Sequence, residues 1–165
     1  MKLKFRLADV NERSCLCPGK PSESDRCSFV VSHWSSSYKK SHQAGSIWHE
    51  DYAEIMHKQI DGYFKHHDLK AILACEATDP RFIYGFIVGD VSETIPVVYY
   101  VYVKESYRRA GIARALFTAL GVDPHERLVY VKSTPDAIEL KSKLPLARFN
   151  PNELRYSKEN RRHPL

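Results

Sequence analysis

The feature that most constrains this chain is one junction, VVYYVYVKESYRRAGIARALFTALG at residues 97–121. The run 97–103 contains only valine and tyrosine, which is typical of a central β-strand covered on both faces. The segment 111–120 then places apolar side chains at helical spacing, and Gly121 is a natural helix stop. Another apolar run follows at 127–133. The sequence therefore predicts a strand–helix–strand unit, and a crossover of this length predicts two parallel strands.

The rest of the chain predicts a mixed α/β domain around this unit. Thr134 followed by Pro135 predicts a helix start, and an Asp-Pro turn joins two β-rich runs into an antiparallel hairpin. The predicted elements are strands at 3–10 and 27–34, a helix at 50–66, strands at 69–76, 81–90 and 97–103, a helix at 111–120, a strand at 127–133, a helix at 134–144 and a last strand within 146–157. Residues 11–27 and 35–45 are predicted loops. The predicted buried faces are Tyr52, Ile55, Met56, Ile60, Tyr63 and Phe64 on the first helix, and Ile112, Leu116, Phe117 and Leu120 on the second.

Length and composition indicate one domain, which we expect at 1–157, followed by a polar tail at 158–165. No run approaches the ~18 apolar residues of a membrane span, and the charged amino end has no signal-peptide core. We therefore expect a cytoplasmic protein whose four cysteines are free thiols. Cys15, Cys17 and Cys27 do not have a standard zinc spacing, so we expect no metal site.

The loop Arg108-Arg109-Ala110-Gly111 has the properties of an anion site. A helix start leaves main-chain N–H groups without partners, and the aligned peptide dipoles add partial positive charge there. Gly111 allows close approach of the backbone, and Arg108, Arg109 and Arg114 add charge. The loop is neither a Walker motif nor a dinucleotide fingerprint. It predicts a diphosphate cradle.

The sequence Arg108-Arg109-Ala110-Gly111-Ile112-Ala113 follows the pattern Gln/Arg-x-x-Gly-x-Gly/Ala. On these residues, the segment 97–121 resembles the acyl-CoA-binding segment of the GNAT acetyltransferase superfamily. The resemblance implies a GNAT-like mixed sheet, mostly antiparallel, with a central parallel strand pair and flanking helices.

The resemblance also implies how a cofactor is held. The pantetheine arm of acetyl-CoA pairs with main-chain groups of Val101, Tyr102 and Val103, while an amine attacks the thioester directly. The main-chain N–H near Tyr102 would stabilise the oxyanion. The implied cofactor-binding residues are Val101, Tyr102, Val103, Arg108, Arg109, Ala110, Gly111, Ile112, Ala113 and Arg114.

The general base and acid are less well defined. Glu76 and Glu105 are the candidate bases, each with the alternative of a solvated carboxylate. Tyr100 and Tyr102 share one face of their strand, so Tyr100 either lines the acceptor site or belongs to the core. Family members often carry an acid tyrosine in the helix after the next strand. Lys141 occupies that position here.

The segment 32–42, SHWSSSYKKSH, is predicted to bind the acceptor. Trp34, Ser35 and Tyr38 would offer a stacking surface and hydroxyl groups. Nearby lysines would favour a nucleobase or an acidic acceptor over a polyamine. An ordinary exposed loop is the alternative.

These observations predict an acyl-CoA-dependent N-acyltransferase that moves an acetyl group from acetyl-CoA to an amine, with no membrane partner. The net charge of +5 is compatible with an anionic ligand or nucleic acid, without choosing between them. The alternatives are a GNAT-like protein that modifies or binds nucleic acid, as phage Mom-type proteins do, and a non-catalytic binding module.

Overall fold

The computed structural model describes residues 2–8, 29–38, 49–66, 68–131, 140–151 and 153. Its strands are β1 (Leu3–Leu7), β2 (Lys70–Glu76), β3 (Ile83–Asp90), β4 (Val97–Val103), β5 (Leu128–Tyr130) and β6 (Ala147–Phe149). Its helices are α1 (Phe29–Tyr38), α2 (His49–His66) and α3 (Ile112–Leu120). The hairpin, the helix at 50–66 and the strand–helix–strand unit are all confirmed.

The strands form one mixed six-stranded sheet in the order β1-β2-β3-β4-β5-β6. The first four strands pair antiparallel. β4 pairs parallel with β5, and β5 pairs parallel with β6. The predicted fold class is therefore confirmed.

Helices cover both faces of this sheet. On one face, Trp34 from α1 and Ile60 from α2 are fully buried against the sheet. On the other face, α3 buries its predicted stripe of Ile112, Leu116, Phe117 and Leu120. We call these sides the α1 face and the α3 face. Burial of large side chains on both faces is why β3 and the first half of β4 are buried throughout.

A β-bulge in β4 shifts by one residue which side chains point to each face of the sheet and which main-chain groups point to each neighbouring strand. Val88 pairs with Tyr100, but Gly89 pairs with Val98, so Tyr99 is an extra residue on β4. Tyr99 and Tyr100 consequently both pack on the α1 face, although they are adjacent in sequence. The alternation of side chains along β4 therefore shifts by one residue at Tyr99.

The strand predicted at 27–34 is wrong, and so is the loop predicted from residue 35, because the described part of this region is helix α1. Val30, Val31 and Trp34 lie on one helical face against the core. A short apolar run does not distinguish a buried strand from a buried helix turn by periodicity alone. The predicted burial of Ile55 on α2 is also wrong, since 47% of its surface is exposed.

Several predictions lie outside the described residues. These are the loop at 11–27 with Cys15, Cys17 and Cys27, the segment 39–48, most of the helix predicted at 134–144 and the tail at 158–165. Residues 140 and 141, at the end of that helix, are helical.

Candidate active site

The central feature of the site is a gap between β4 and β5. Among the described residues, the two strands pair at two positions, Val97 with Val129 and Val98 with Tyr130. β4 continues to Val103, and within the part of the chain that the structure describes its second half has no partner strand on the β5 side. An open cleft lies beside these strands. It is lined by Val98, Tyr99, Tyr100, Val101, Phe117, Leu128, Tyr130, Leu140, Lys141 and Leu144.

The hydrogen-bond pattern of β4 determines which main-chain groups face this gap. Lys104 N donates to Tyr84 O at 2.8 Å, directly across the antiparallel β3–β4 ladder. In an antiparallel ladder, hydrogen-bonded and non-hydrogen-bonded residue pairs alternate. Tyr102 is therefore hydrogen-bonded to Phe86, whereas the main-chain groups of Val101 and Val103 point away from β3. The N–H of Tyr102 itself is therefore used in the sheet, and the oxyanion donor expected near Tyr102 stays a prediction. The N–H of Val101 faces the gap instead.

The loop after β4 forms the end of the gap. A 3₁₀ turn, Glu105–Tyr107, leads into Arg109, which has a positive φ of 66°. Gly111 follows with φ 79°, and no side chain caps the start of α3. The first bond of α3 runs from Ala115 N to Gly111 O. The main-chain N–H groups that precede Ala115 in the first turn of α3 thus have no intrahelical acceptor, as an anion site requires.

The arginines of this loop are exposed, but one is oriented by the strand. Arg108 Nε donates to Val103 O at 3.3 Å, which closes the loop back onto the end of β4. Arg109 and Arg114 are also exposed beside the helix start. The predicted cofactor-binding residues therefore lie together along the gap and its end, except that the main chain of Tyr102 faces β3.

Glu76 lies at the end of β2, with β3 between it and β4. Its carboxylate accepts a short hydrogen bond from the Tyr84 hydroxyl, and this bond lowers the pKa of Glu76. The same bond raises the pKa of Tyr84 to about 12. A carboxylate stabilised in its charged form and placed across β3 is not favoured as the base.

Glu105 lies in the turn directly after β4 and is exposed. Its position at the edge of the site is compatible with a role in proton transfer, which stays a prediction.

The predicted stacking surface at Trp34 is wrong, because its side chain is fully buried. Its ring stacks on Tyr100 at a centroid distance of 5.7 Å and on Tyr63 at 5.9 Å. Ser35 is 9% exposed, and its hydroxyl donates to Ser32 O within the helix. Tyr100 is 8% exposed and belongs to this core cluster. Tyr38 ends α1, and its acceptor-binding role stays a prediction.

His33 is a functional candidate that the sequence reasoning missed. Its ring lies 4.8 Å from the ring of Tyr102 and is half-buried. Nδ1 lies 2.9 Å from Phe29 O, to which it donates when protonated. Burial lowers the pKa of His33 below 6.5, the hydrogen bond to Phe29 opposes this, and the charge of Lys104 adds to the lowering. Assigning residues 27–34 to a helix would have shown that Phe29 and His33 share a face.

Comparison with solved structures places this arrangement among known folds. A protein from Pyrococcus furiosus assigned as an acetyl transferase superposes with a TM-score of 0.54 at 14% identity, over 86% of this chain and 91% of that one. The chain has the GNAT fold.

Two further similar structures have TM-scores below 0.5. A GNAT family acetyltransferase from Staphylococcus aureus gives 0.47 at 16% identity, covering 70% of this chain and 86% of that one. An acetyltransferase from Clostridium acetobutylicum, assigned by prediction and solved with acetyl-CoA, gives 0.49 at 12% identity, covering 98% and 99%. No protein-family model matches the chain, and no curated protein matches its sequence.

Within the GNAT fold, the gap between β4 and β5 is closed on the α3 face by the end of the helix that precedes β6. Leu140 and Leu144 pack there with Phe117, and Lys141 lines the cleft with an exposed side chain. Among the described helices, none is both long and apolar enough to cross a bilayer.

Proposed function

We propose that this protein is an acyl-CoA-dependent N-acyltransferase that transfers an acetyl group from acetyl-CoA to an amine. The observation that carries the proposal is the gap beside β4, which ends at an uncapped helix start. An extended amide-containing arm can pair with the main-chain groups of Val101 and Val103 as an added strand would. A diphosphate matches the N–H groups and arginines at the end of that strand.

The chemistry of the residues present supports acetyl-CoA as the ligand. The cleft walls are apolar, as an acyl chain and pantetheine arm require, and the basic residues are concentrated at the loop end. When bound, acetyl-CoA supplies an activated thioester. The chain would orient the thioester along β4 and offer the N–H of Val101 to its carbonyl oxygen. Lys141 would place positive charge near the departing thiolate.

Holding the amine and the thioester together would supply much of the rate acceleration. Direct attack needs no covalent enzyme intermediate. Cys75, the cysteine that the described residues include, is buried in the α1-face cluster and has no part in this scheme.

Two glycines at opposite ends of α3 give a matched test. Gly111 and Gly121 both have positive φ, 79° and 87°, and a Cβ at either position would meet no atom within 4 Å. Replacing either residue by glutamate therefore costs similar backbone strain, about 1–2 kcal/mol. Only Gly111→Glu puts a carboxylate where the diphosphate would bind.

We expect Gly111→Glu to weaken acetyl-CoA binding by roughly a hundredfold, about 2.7 kcal/mol, and Gly121→Glu to leave the affinity near wild type. Isothermal titration calorimetry with acetyl-CoA measures both. Circular dichroism checks that each variant is folded. Equal affinity in the two variants would show that the cradle is misplaced. Absence of wild-type binding at millimolar acetyl-CoA would reject the proposed function and favour a non-catalytic module.

A further inference from the structure

The α1 face of the gap carries a titratable group that lies close to the strand along which acetyl-CoA would bind. Tyr102 follows Val101, whose main chain faces the gap, and its ring reaches the α1 face. The ring of His33 lies 4.8 Å from it, one turn along α1 from Phe29. Cofactor and acceptor can therefore approach β4 from opposite faces of the sheet, because the cradle lies at α3.

We propose that His33 accepts the proton of the attacking amine, and that the acceptor enters the α1 face beside Tyr102. This inference rests on the proposed function, because it assigns the base of that same reaction. It replaces the earlier candidates Glu76 and Glu105 in that role.

The geometry supports one tautomer of His33. With Nδ1 donating to Phe29 O, Nε2 carries the lone pair. Ser32 Oγ lies 3.4 Å from Nδ1, so the hydroxyl also contacts the nitrogen on the helix side. Both described hydrogen-bond contacts of the ring thus involve Nδ1, and the substrate amine would approach Nε2.

The surroundings favour the neutral form of this ring. Among the described residues, the titratable or charged groups that face it are Tyr102 on β4 and Lys104 just after β4. Burial and the lysine charge both lower the pKa of His33, and no described carboxylate raises it. A neutral imidazole is the form that accepts a proton.

The step balances as follows. Nε2 takes one proton from the substrate ammonium, and the free amine attacks the thioester carbonyl carbon. A C–N bond forms and the C–S bond breaks. A second proton passes from nitrogen to the departing thiolate, which yields the amide, coenzyme A thiol and the His33 imidazolium.

Diethyl pyrocarbonate, which carbethoxylates unprotonated and accessible imidazole nitrogens, tests the position of Nε2. We expect His33 to react in the wild-type protein, as read by peptide mass spectrometry. Exposed His125 lies beyond the far end of α3 and serves as the internal control. An unreactive His33 beside a reactive His125 would overturn the inference.

A kinetic experiment distinguishes failure of this inference from failure of the proposed function. Release of coenzyme A thiol from acetyl-CoA is measured with ethylamine as the added amine and with water alone. We expect His33→Gln to lower the enzyme-dependent rate about a hundredfold with unchanged acetyl-CoA affinity. The wild-type rate should fall only below the lowered pKa of His33, and this acid limb should be lost in His33→Gln.

A wild-type rate and pH profile in a folded His33→Gln variant would overturn the role of His33 while the acyltransferase proposal stands. Acetyl-CoA binding without any wild-type thiol release would overturn both.

Discussion

Gly85 shows how one residue holds β4 in position for the site. Gly85 lies on β3, opposite Val103 of β4. A Cβ added to Gly85 would overlap the main-chain carbonyl oxygen of Tyr102. That carbonyl points toward β3 because Tyr102 pairs with Phe86. A side chain at position 85 would therefore push β4 away from β3 and move Val101 within the gap.

We expect Gly85→Ala to lower the free energy of unfolding by about 1–3 kcal/mol, because the overlap with backbone cannot be relieved by a rotamer change. Gly62→Ala is the matched control, since Gly62 lies within α2 and a Cβ there meets nothing within 4 Å. The free energy of unfolding of the Gly62→Ala variant should rise by about 0.5–1 kcal/mol. Urea unfolding followed by fluorescence measures both variants. A Gly85→Ala protein as stable as wild type would contradict the close approach of β3 and β4.

Helix α1 is the element whose role depends most on packing. Trp34 joins it to both neighbours, with its ring stacked on Tyr100 of β4 and on Tyr63 of α2. The same packing orients the preceding residue, so that His33 faces Tyr102. The element is thus anchored by a buried tryptophan and presents a half-buried histidine beside the gap.

We expect Trp34→Ala to cost about 3–5 kcal/mol of folding free energy, as for other buried aromatic truncations. Ser36→Ala, an exposed substitution on the same helix, should change stability by less than about 0.5 kcal/mol. Chemical denaturation compares the two, and acetyl-CoA titration of the folded protein checks the site. A fully stable Trp34→Ala variant with impaired turnover would instead indicate that Trp34 contacts the acceptor.

At the scale of the whole molecule, one sheet carries both hydrophobic clusters. β3 and β4 contribute side chains to the α1 face and to the α3 face, so neither cluster can form without the sheet. The gap beside β4 lies within this sheet, not at a boundary between two units. We therefore expect the chain to unfold as one cooperative unit.

Thermal unfolding tests this expectation together with ligand binding. We expect a single transition, and acetyl-CoA at a hundred times its Kd should add about 2.7 kcal/mol of stability to all of it. The Gly111→Glu variant should keep one transition without the acetyl-CoA shift. Two separate transitions, of which acetyl-CoA moves only one, would contradict a single domain.

The sequence by itself determined the features that depend on local chemistry. The valine and tyrosine run and the apolar stripe of 112–120 predicted β4 and α3, because each rests on neighbouring residues, while the anion cradle at the Arg-Arg-Ala-Gly loop stays a prediction. Gly121 ends α3 with the positive φ of a glycine stop, and Gly111 at the start of α3 also has a positive φ.

Only the tertiary structure decided which groups meet at the gap. The bulge at Tyr99 shifts the alternation of β4, so Val101 and not Tyr102 offers its N–H, and the bulge arises from pairing with β3. The burial of Trp34 and the position of His33 beside Tyr102 depend on where α1 packs. Strand register and helix packing are contacts between residues far apart in sequence, so no local pattern in the chain specifies them.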